Sequence, residues 1–288
     1  MTHLKLFIDL TRLKKPIGFM LLFWPCAWGL TLAYDFSLSL NNYFFYLTLF
    51  FLGSVLMRSA GCIVNDILDK EFDAKVFRTK NRPIASGKIS IKVAIFYSLV
   101  LCFLALLVLL NFNFLTIILA LGSMPLAFTY PLMKRFTYWP QLFLGITFNY
   151  GLILGWTAIE GQLDLAPIIF YLGAIFWTLG YDTIYGYQDI RDDEIIGLKS
   201  TSIKFKGKAK KFLIMSYSLL IILFSIGGYF MKFDPKYYFI LFIPFMHLFF
   251  YQIRNLNLKN PTSCLRIFKS NNIFGFIIFL NILIAKNL

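Results

Sequence analysis

Of the 288 residues, 59% are hydrophobic and 19% aromatic, and only 15% carry charge. Soluble domains run at about 45–50% apolar and about 25% charged, so a water-soluble globule is excluded. A formal net charge of +14 would suggest nucleic acid on a soluble chain. Here the basic residues stand in short segments between apolar runs, which points to a lipid bilayer, anionic headgroups and a small anionic substrate, with no nucleic-acid partner.

A helix that crosses a bilayer needs about 20 mainly apolar residues. The first such run starts near residue 17, after Lys5, Arg12, Lys14 and Lys15, and extends too far for the core of a cleavable signal. Further runs start near residues 43, 89, 113, 140, 166, 211, 237 and 271. The expectation is an all-α polytopic membrane protein of about nine transmembrane helices, forming a single domain over residues 1–288. Prolines inside the runs, as in Trp24-Pro25-Cys26 and Ser123-Met124-Pro125, are tolerated where neighbouring helices satisfy the freed backbone groups.

The connecting segments alternate in charge. Most of the 28 Lys and Arg lie in one set: the N-terminal segment, the stretch from Lys70 to Lys92, Lys134 and Arg135, Arg191 to Lys211, and Arg254 to Lys269. The other set holds Lys232, Lys236 and Lys286. By the positive-inside rule the N-terminus and the long polar segments face the cytoplasm. The 4 cysteines are scattered without CxxC or Cys/His spacing, so neither a zinc site nor a disulfide framework is indicated.

The two longest polar segments, roughly 64–88 and 189–210, each follow an apolar run and each hold clustered carboxylates. This suggests two similar halves whose active region lies where the segments meet. In Asn65-Asp66-Ile67-Leu68-Asp69-Lys70-Glu71-Phe72-Asp73, a continuing helix puts Asp66, Asp69 and Asp73 on one face. Crowded carboxylates repel unless a cation neutralises them. Mg²⁺ suits such oxygen donors, being usually held by a few carboxylates together with substrate phosphates. In the second segment Asp189 and Asp193 are one turn apart, and Asp182 lies two turns before Asp189 on the same face. Asp182 also ends a long apolar run, where an ionisable group is costly and functional by default.

Basic residues follow each cluster, Arg78, Lys80 and Arg82 after the first and Lys199 after the second, and a third segment holds Tyr130-Pro131-Leu132-Met133-Lys134-Arg135. Their guanidinium and ammonium groups suit phosphate and carboxylate oxygens. Lysines 204 to 211 need no explanation beyond membrane orientation. Acid and base side by side read as a metal–diphosphate cradle.

Along nearly its whole length the chain resembles the UbiA-type membrane prenyltransferases, and within them the branch acting on 4-hydroxybenzoate in ubiquinone synthesis. The resemblance rests on Arg12-Leu13-Lys14-Lys15-Pro16-Ile17-Gly18 with Trp24-Pro25, and on Met57-Arg58-Ser59-Ala60-Gly61-Cys62-Ile63-Val64-Asn65-Asp66. It extends through Arg78-Thr79-Lys80-Asn81-Arg82-Pro83, Tyr130 to Arg135, Tyr181-Asp182-Thr183-Ile184-Tyr185 and Gly197-Leu198-Lys199-Ser200-Thr201. Where some members carry Arg-Asp, this chain has Ile190-Arg191.

The resemblance implies a bundle around a central cavity and a Mg²⁺ cofactor. It maps metal binding onto Asn65, Asp69, Asp189 and Asp193, with Asp66 and Asp73 as auxiliaries. The substrates it implies are a polyprenyl diphosphate, met by Arg78, Lys134 and Lys199, and 4-hydroxybenzoate, whose carboxylate would meet Arg58 or Arg135. Asp182 is the candidate catalytic residue, polarising the phenol or taking the ring proton. Alternatives are the same fold with a naphthoate, haem or chlorin acceptor, or an ion-coupled transporter. The absence of a long Arg/Ser-rich leader adds the expectation of a bacterial inner membrane.

Overall fold

The computed structural model describes residues 3–287, and the described residues are helical throughout, joined by turns. Helix α1 (His3–Thr11) precedes α2 (Ile17–Ala33), which opens directly after Pro16. Helix α3 (Leu40–Leu68) is the longest at 29 residues, and the short α4 (Lys70–Asp73) follows it across a break at Asp69. Helices α5 (Ile91–Leu109) and α6 (Phe114–Thr129) start on side-chain caps, Ser90 accepting from the Val93 N–H and Asn113 from that of Thr116. Such caps satisfy backbone donors that the first turn leaves unpaired.

A 3₁₀ turn at Tyr130–Leu132 leads into α7 (Met133–Phe136), then α8 (Pro140–Glu160), which stops at Gly161 in the left-handed region at φ 66°. Helix α9 (Leu165–Gly186) is followed by two short helices, α10 (Ile190–Ile195) and α11 (Thr201–Lys204). Helices α12 (Ala209–Phe230), α13 (Pro235–Met246) and α14 (Pro261–Lys286) complete the chain, and α13 continues as seven π-helical residues, His247–Ile253.

Each expected apolar run appears as a helix, but the count of nine spans is not met on length. Seven of the described helices are long and apolar enough to cross a bilayer: α3, α5, α6 with its continuation to Phe136, α8, α9, α12 and α14. Helix α2 stops at 17 residues, and α13 has 12 before its geometry changes. The last helix also starts at Pro261, ahead of the expected 271. Its first turns carry Arg266 and Lys269 and so lack apolar signal, yet Asn260 caps them by accepting from the Thr262 and Ser263 N–H groups.

The bundle closes around α2, which packs on α3, α8 and α14, while α9 packs on α8, α12 and α14. Without a hydrophobic force between helices in lipid, close packing has to supply the cohesion. At the α2–α8 crossing the backbones nearly touch: a Cβ on Gly29 would lie 2.0 Å from the Leu152 carbonyl oxygen, and one on Gly155 2.4 Å from that of Cys26. Trp28, Trp177, Phe224 and Phe274 form the buried aromatic centre, with Trp28 and Trp177 ring centroids 5.1 Å apart. Large apolar side chains on α3, α5, α12 and α13 remain exposed, as lipid-facing surfaces require. All four cysteines are free.

Candidate active site

Both acidic motifs sit where a long apolar helix gives way to a short one. Helix α3 carries Arg58, Asn65 and Asp66, breaks at Asp69 with φ −98° and ψ 8°, and resumes as α4 with Asp73. Helix α9 carries Asp182 and ends at Gly186, after which Asp189 precedes α10 and Asp193 lies within it. The same-face relation expected between Asp182 and Asp189 therefore does not hold, because the helix does not run through. Gly186 marks the break, where a Cβ would come 2.4 Å from the Ser202 hydroxyl.

The two segments meet, as the pattern of carboxylates led us to expect. Arg78 donates from Nε to both oxygens of Asp189, at 2.8 and 2.9 Å, with a further bond from its NH2 group. It also donates to the Tyr185 hydroxyl at 3.3 Å. The Phe77 N–H donates to Asp192 at 3.2 Å. Across the third segment Lys134 pairs with Asp69, and the Lys199 N–H donates to the Lys134 carbonyl at 2.8 Å, bringing Lys134 and Lys199 together. The Lys199 ammonium itself donates to the Phe136 carbonyl at 3.2 Å.

Asp66 and Asp73 have surroundings that differ from the metal site expected of them. One oxygen of Asp66 accepts from both Arg12 and Arg82, and Arg82 also donates to Asp73 at 2.6 Å. These carboxylates are neutralised by guanidinium groups within the protein. In sequence Arg82 reads as one of the bases beside the first cluster and Arg12 as part of the basic N-terminal segment; neither spacing shows which carboxylate it meets. Arg12 gives one local sign, a left-handed φ of 57° in a non-glycine residue.

The oxygens that suit Mg²⁺ lie one turn apart. Asn65 Oδ1 and Asp69 Oδ1 are both buried without a hydrogen-bond partner, with Arg135 3.7 Å from the latter. Unpaired buried oxygens of this kind are costly unless a cation or donor meets them. No three His, Cys, Asp or Glu side chains converge on one point among the described residues. The donor set fits an ion bound by amide and carboxylate oxygens and completed by phosphate, the usual manner of Mg²⁺. Burial raises the Asp69 carboxyl above the ordinary range against the pull of Lys134. Burial and then the neighbouring Asp189 push Asp193 up to about 6.

Deeper in the bundle, the Arg58 guanidinium lies over the Phe148 ring, 5.3 Å from its centroid. Its Nε is buried without a partner, and Arg58 forms no ion pair among the described residues. Tyr130 packs edge-on to Phe148 at 6.1 Å, and Arg58, Tyr130 and Asp182 lie within electrostatic reach of one another. Tyr130 and Phe148 are further members of this group, and Tyr185 lies under Arg78, whose guanidinium is 5.5 Å from the ring centroid; Tyr130 and Tyr185 stand inside the quoted motifs, whereas nothing local marks Phe148. Arg135 faces elsewhere, donating to the Leu68 carbonyl at 2.6 Å and stacking over Phe72 at 5.0 Å.

Helices that cross a bilayer and gather two facing acidic motifs with cations at one end define a membrane enzyme for an anionic, lipid-soluble substrate. The chain belongs to the UbiA prenyltransferase family, whose pattern it matches over residues 22–282. It is 43% identical to the mitochondrial 4-hydroxybenzoate polyprenyltransferase of Drosophila pseudoobscura pseudoobscura, over 98% of this chain and 70% of that one. The human protein of that name is 43% identical over 97% of this chain and 75% of its own length, and the Arabidopsis thaliana one 42% over 98% and 69%.

The fold is shared with a UbiA homolog from Archaeoglobus fulgidus bound to GPP and Mg²⁺, at a TM-score of 0.74 and 18% identity, covering 98% of this chain and all of that one (100%). The apo structure of a UbiA homolog from Aeropyrum pernix K1 gives 0.72 and 22%, covering 92% and 97%.

The expectation of a bacterial inner membrane with a cytoplasmic N-terminus is overturned. The relatives are named as mitochondrial enzymes of animals and a plant, and none of those cited is bacterial. The bacterial expectation rested on an N-terminal segment without an Arg/Ser-rich stretch, which does not name a membrane, and charge asymmetry only orients a chain within whichever membrane receives it.

Proposed function

We propose that this chain, acting as a single membrane domain, transfers a polyprenyl group from polyprenyl diphosphate to the ring carbon ortho to the hydroxyl of 4-hydroxybenzoate, in ubiquinone biosynthesis. The observation that carries the reading is the joining of the two acidic segments by Arg78 on Asp189, beside Lys134 on Asp69. It is supported by relatives above 40% identity that bear the name of this activity.

Arg78, Lys134 and Lys199 take the diphosphate oxygens and stabilise the negative charge that grows as the allylic C–O bond breaks. Asn65, Asp69, Asp189 and Asp193 would hold Mg²⁺, which when bound supplies Lewis-acid stabilisation of the leaving diphosphate. The allylic cation that results faces aromatic surface from Phe148, Tyr130 and Tyr185, whose ring faces attract positive charge and whose bulk excludes water. Arg58, which forms no ion pair among the described residues, is the cation that would receive the benzoate carboxylate; Arg135 is held at the end of α3 by the Leu68 carbonyl. The activated ring carbon attacks, and Asp182, near the end of α9, takes the proton whose loss restores aromaticity.

The test is prenyl transfer to labelled 4-hydroxybenzoate in membranes containing this chain, with Mg²⁺ and with EDTA. The expected product is lipid-soluble, disappears with EDTA, and disappears in Asp69→Ala and Asp189→Ala although both proteins stay in the membrane. Substantial turnover by either variant refutes the metal assignment. A product only with a naphthoate or another aromatic acceptor refutes the choice of acceptor and leaves the fold untouched.

A further inference from the structure

Asp69 stands at the joint between two helices, and that joint is held from outside. On one side α3 carries Asp66 three residues before Asp69; on the other α4 ends with Asp73 four residues after it. Arg82 bridges the two, its NH1 group lying 3.1 Å from the Asp66 carboxylate and 2.6 Å from that of Asp73. The Thr79 hydroxyl donates to the Asp73 carbonyl at 2.9 Å, fixing the turn that brings Arg82 back. Arg12 grips Asp66 from the opposite direction, at the end of α1, whose Leu6 and Leu10 are buried with Ala60 and Ile63 of α3.

Two carboxylates thus meet two guanidiniums, and all four charges balance. Asp66 and Asp73 are 2% and 7% exposed, so the pairing is nearly dry and geometrically strict. One guanidinium nitrogen of Arg82 meets both acceptors, and the rigid plane of the group fixes its direction, where a lysine ammonium is one flexibly held point charge.

Resting on the function proposed above, we propose that Arg12 and Arg82 are positioning residues that clasp α3 to α4 through Asp66 and Asp73 and so aim the Asn65 and Asp69 oxygens at their cation. Asp66 and Asp73 serve as anchor points of the clasp, and the ion meets Asn65 and Asp69. A clasp that orients without ligating leaves a distinct signature. Loosening it weakens cation binding, and a large excess of cation restores the bound geometry. Loss of a ligand is not recovered in this way.

The experiment measures Mn²⁺ binding to the detergent-purified full chain by electron paramagnetic resonance, alongside prenyl transfer over a Mg²⁺ titration. Arg82→Met is expected to raise the Mn²⁺ dissociation constant and the half-saturating Mg²⁺ about 10-fold, with most of kcat recovered at saturating Mg²⁺. Arg82→Lys is expected to fall between Met and wild type, and Arg12→Lys closer to wild type than Arg12→Met. The double variant Arg82→Met with Asp73→Asn is expected to be no worse than Arg82→Met alone, because both remove one contact.

Unchanged cation affinity in Arg82→Met overturns the proposal. So does a double variant that loses a further factor of 10 or more, which would make Asp73 a ligand. Arg82→Gln, smaller and uncharged, repeats the measurement should Arg82→Met not be recovered as a monodisperse protein. If the wild type transfers no prenyl group to 4-hydroxybenzoate yet binds Mn²⁺ in a clasp-dependent way, the proposed acceptor fails and the clasp stands.

Discussion

Replacing Arg58 with methionine should weaken acceptor binding without stabilising the empty protein. The guanidinium lies over Phe148 with its Nε buried and unpartnered, and no carboxylate pairs with it among the described residues. A charge-assisted hydrogen bond to the benzoate carboxylate contributes about 1.5–3 kcal/mol. Its loss should raise KM for 4-hydroxybenzoate by roughly 10- to 150-fold, at about 1.4 kcal/mol per factor of ten. KM for the polyprenyl diphosphate should move little.

Stability should not rise. Burial strengthens the cation–π contact to about 2 kcal/mol or more, which offsets the cost of about 1–3 kcal/mol for the unpaired Nε. Asp182 also lies within electrostatic reach of the guanidinium and would lose that charge. A KM within threefold of wild type refutes the carboxylate assignment. A Tm in detergent clearly above wild type refutes the stability argument.

Asp182→Asn should lower kcat by about 100-fold or more with KM for both substrates nearly unchanged, the range for loss of a positioned general base; a KM effect alone would make Asp182 a binding group. In EDTA, Asp193→Asn should raise Tm at pH 8, because a carboxyl pushed from 3.8 to about 6 costs stability when ionised. Roughly two pH units at about 1.4 kcal/mol each set a ceiling near 3 kcal/mol. The sign follows from proton binding: between pH 3.8 and about 6 the folded chain binds more protons than the unfolded one, so the cost is full above pH 6 and gone below 3.8. A stabilisation that grows on acidification would refute it. Gly29→Ala should destabilise by about 1–3 kcal/mol, since its Cβ would stand 2.0 Å from a backbone oxygen of α8; an unchanged thermal transition in detergent would show that the α2–α8 crossing relaxes freely.

Hydropathy located the helices because lipid demands long apolar runs, and it failed where that demand lapses. The polar start of α14 was invisible to it, whereas Pro261 and Asn260 mark the start by cap chemistry instead. The acidic clusters were legible as clusters, and their meeting was anticipated. The breaks at Asp69 and after Gly186 were not, because both arise from tertiary packing rather than local propensity. The partners of the carboxylates were the least legible. Arg12 reaches Asp66 from 54 residues upstream, and nothing in its neighbourhood separates it from a lysine that merely orients the chain.

The contact between Arg78 and Asp189 spans 111 residues of chain. At a synthesis rate of about 5–20 residues per second, Arg78 waits roughly 5–20 s for its partner to be made. During that interval Arg78 has no carboxylate, while Asp66, Asp69 and Asp73 can already meet Arg12, Lys134 and Arg82. A nascent chain stalled or truncated before residue 189 therefore keeps one guanidinium whose charge only the finished protein balances.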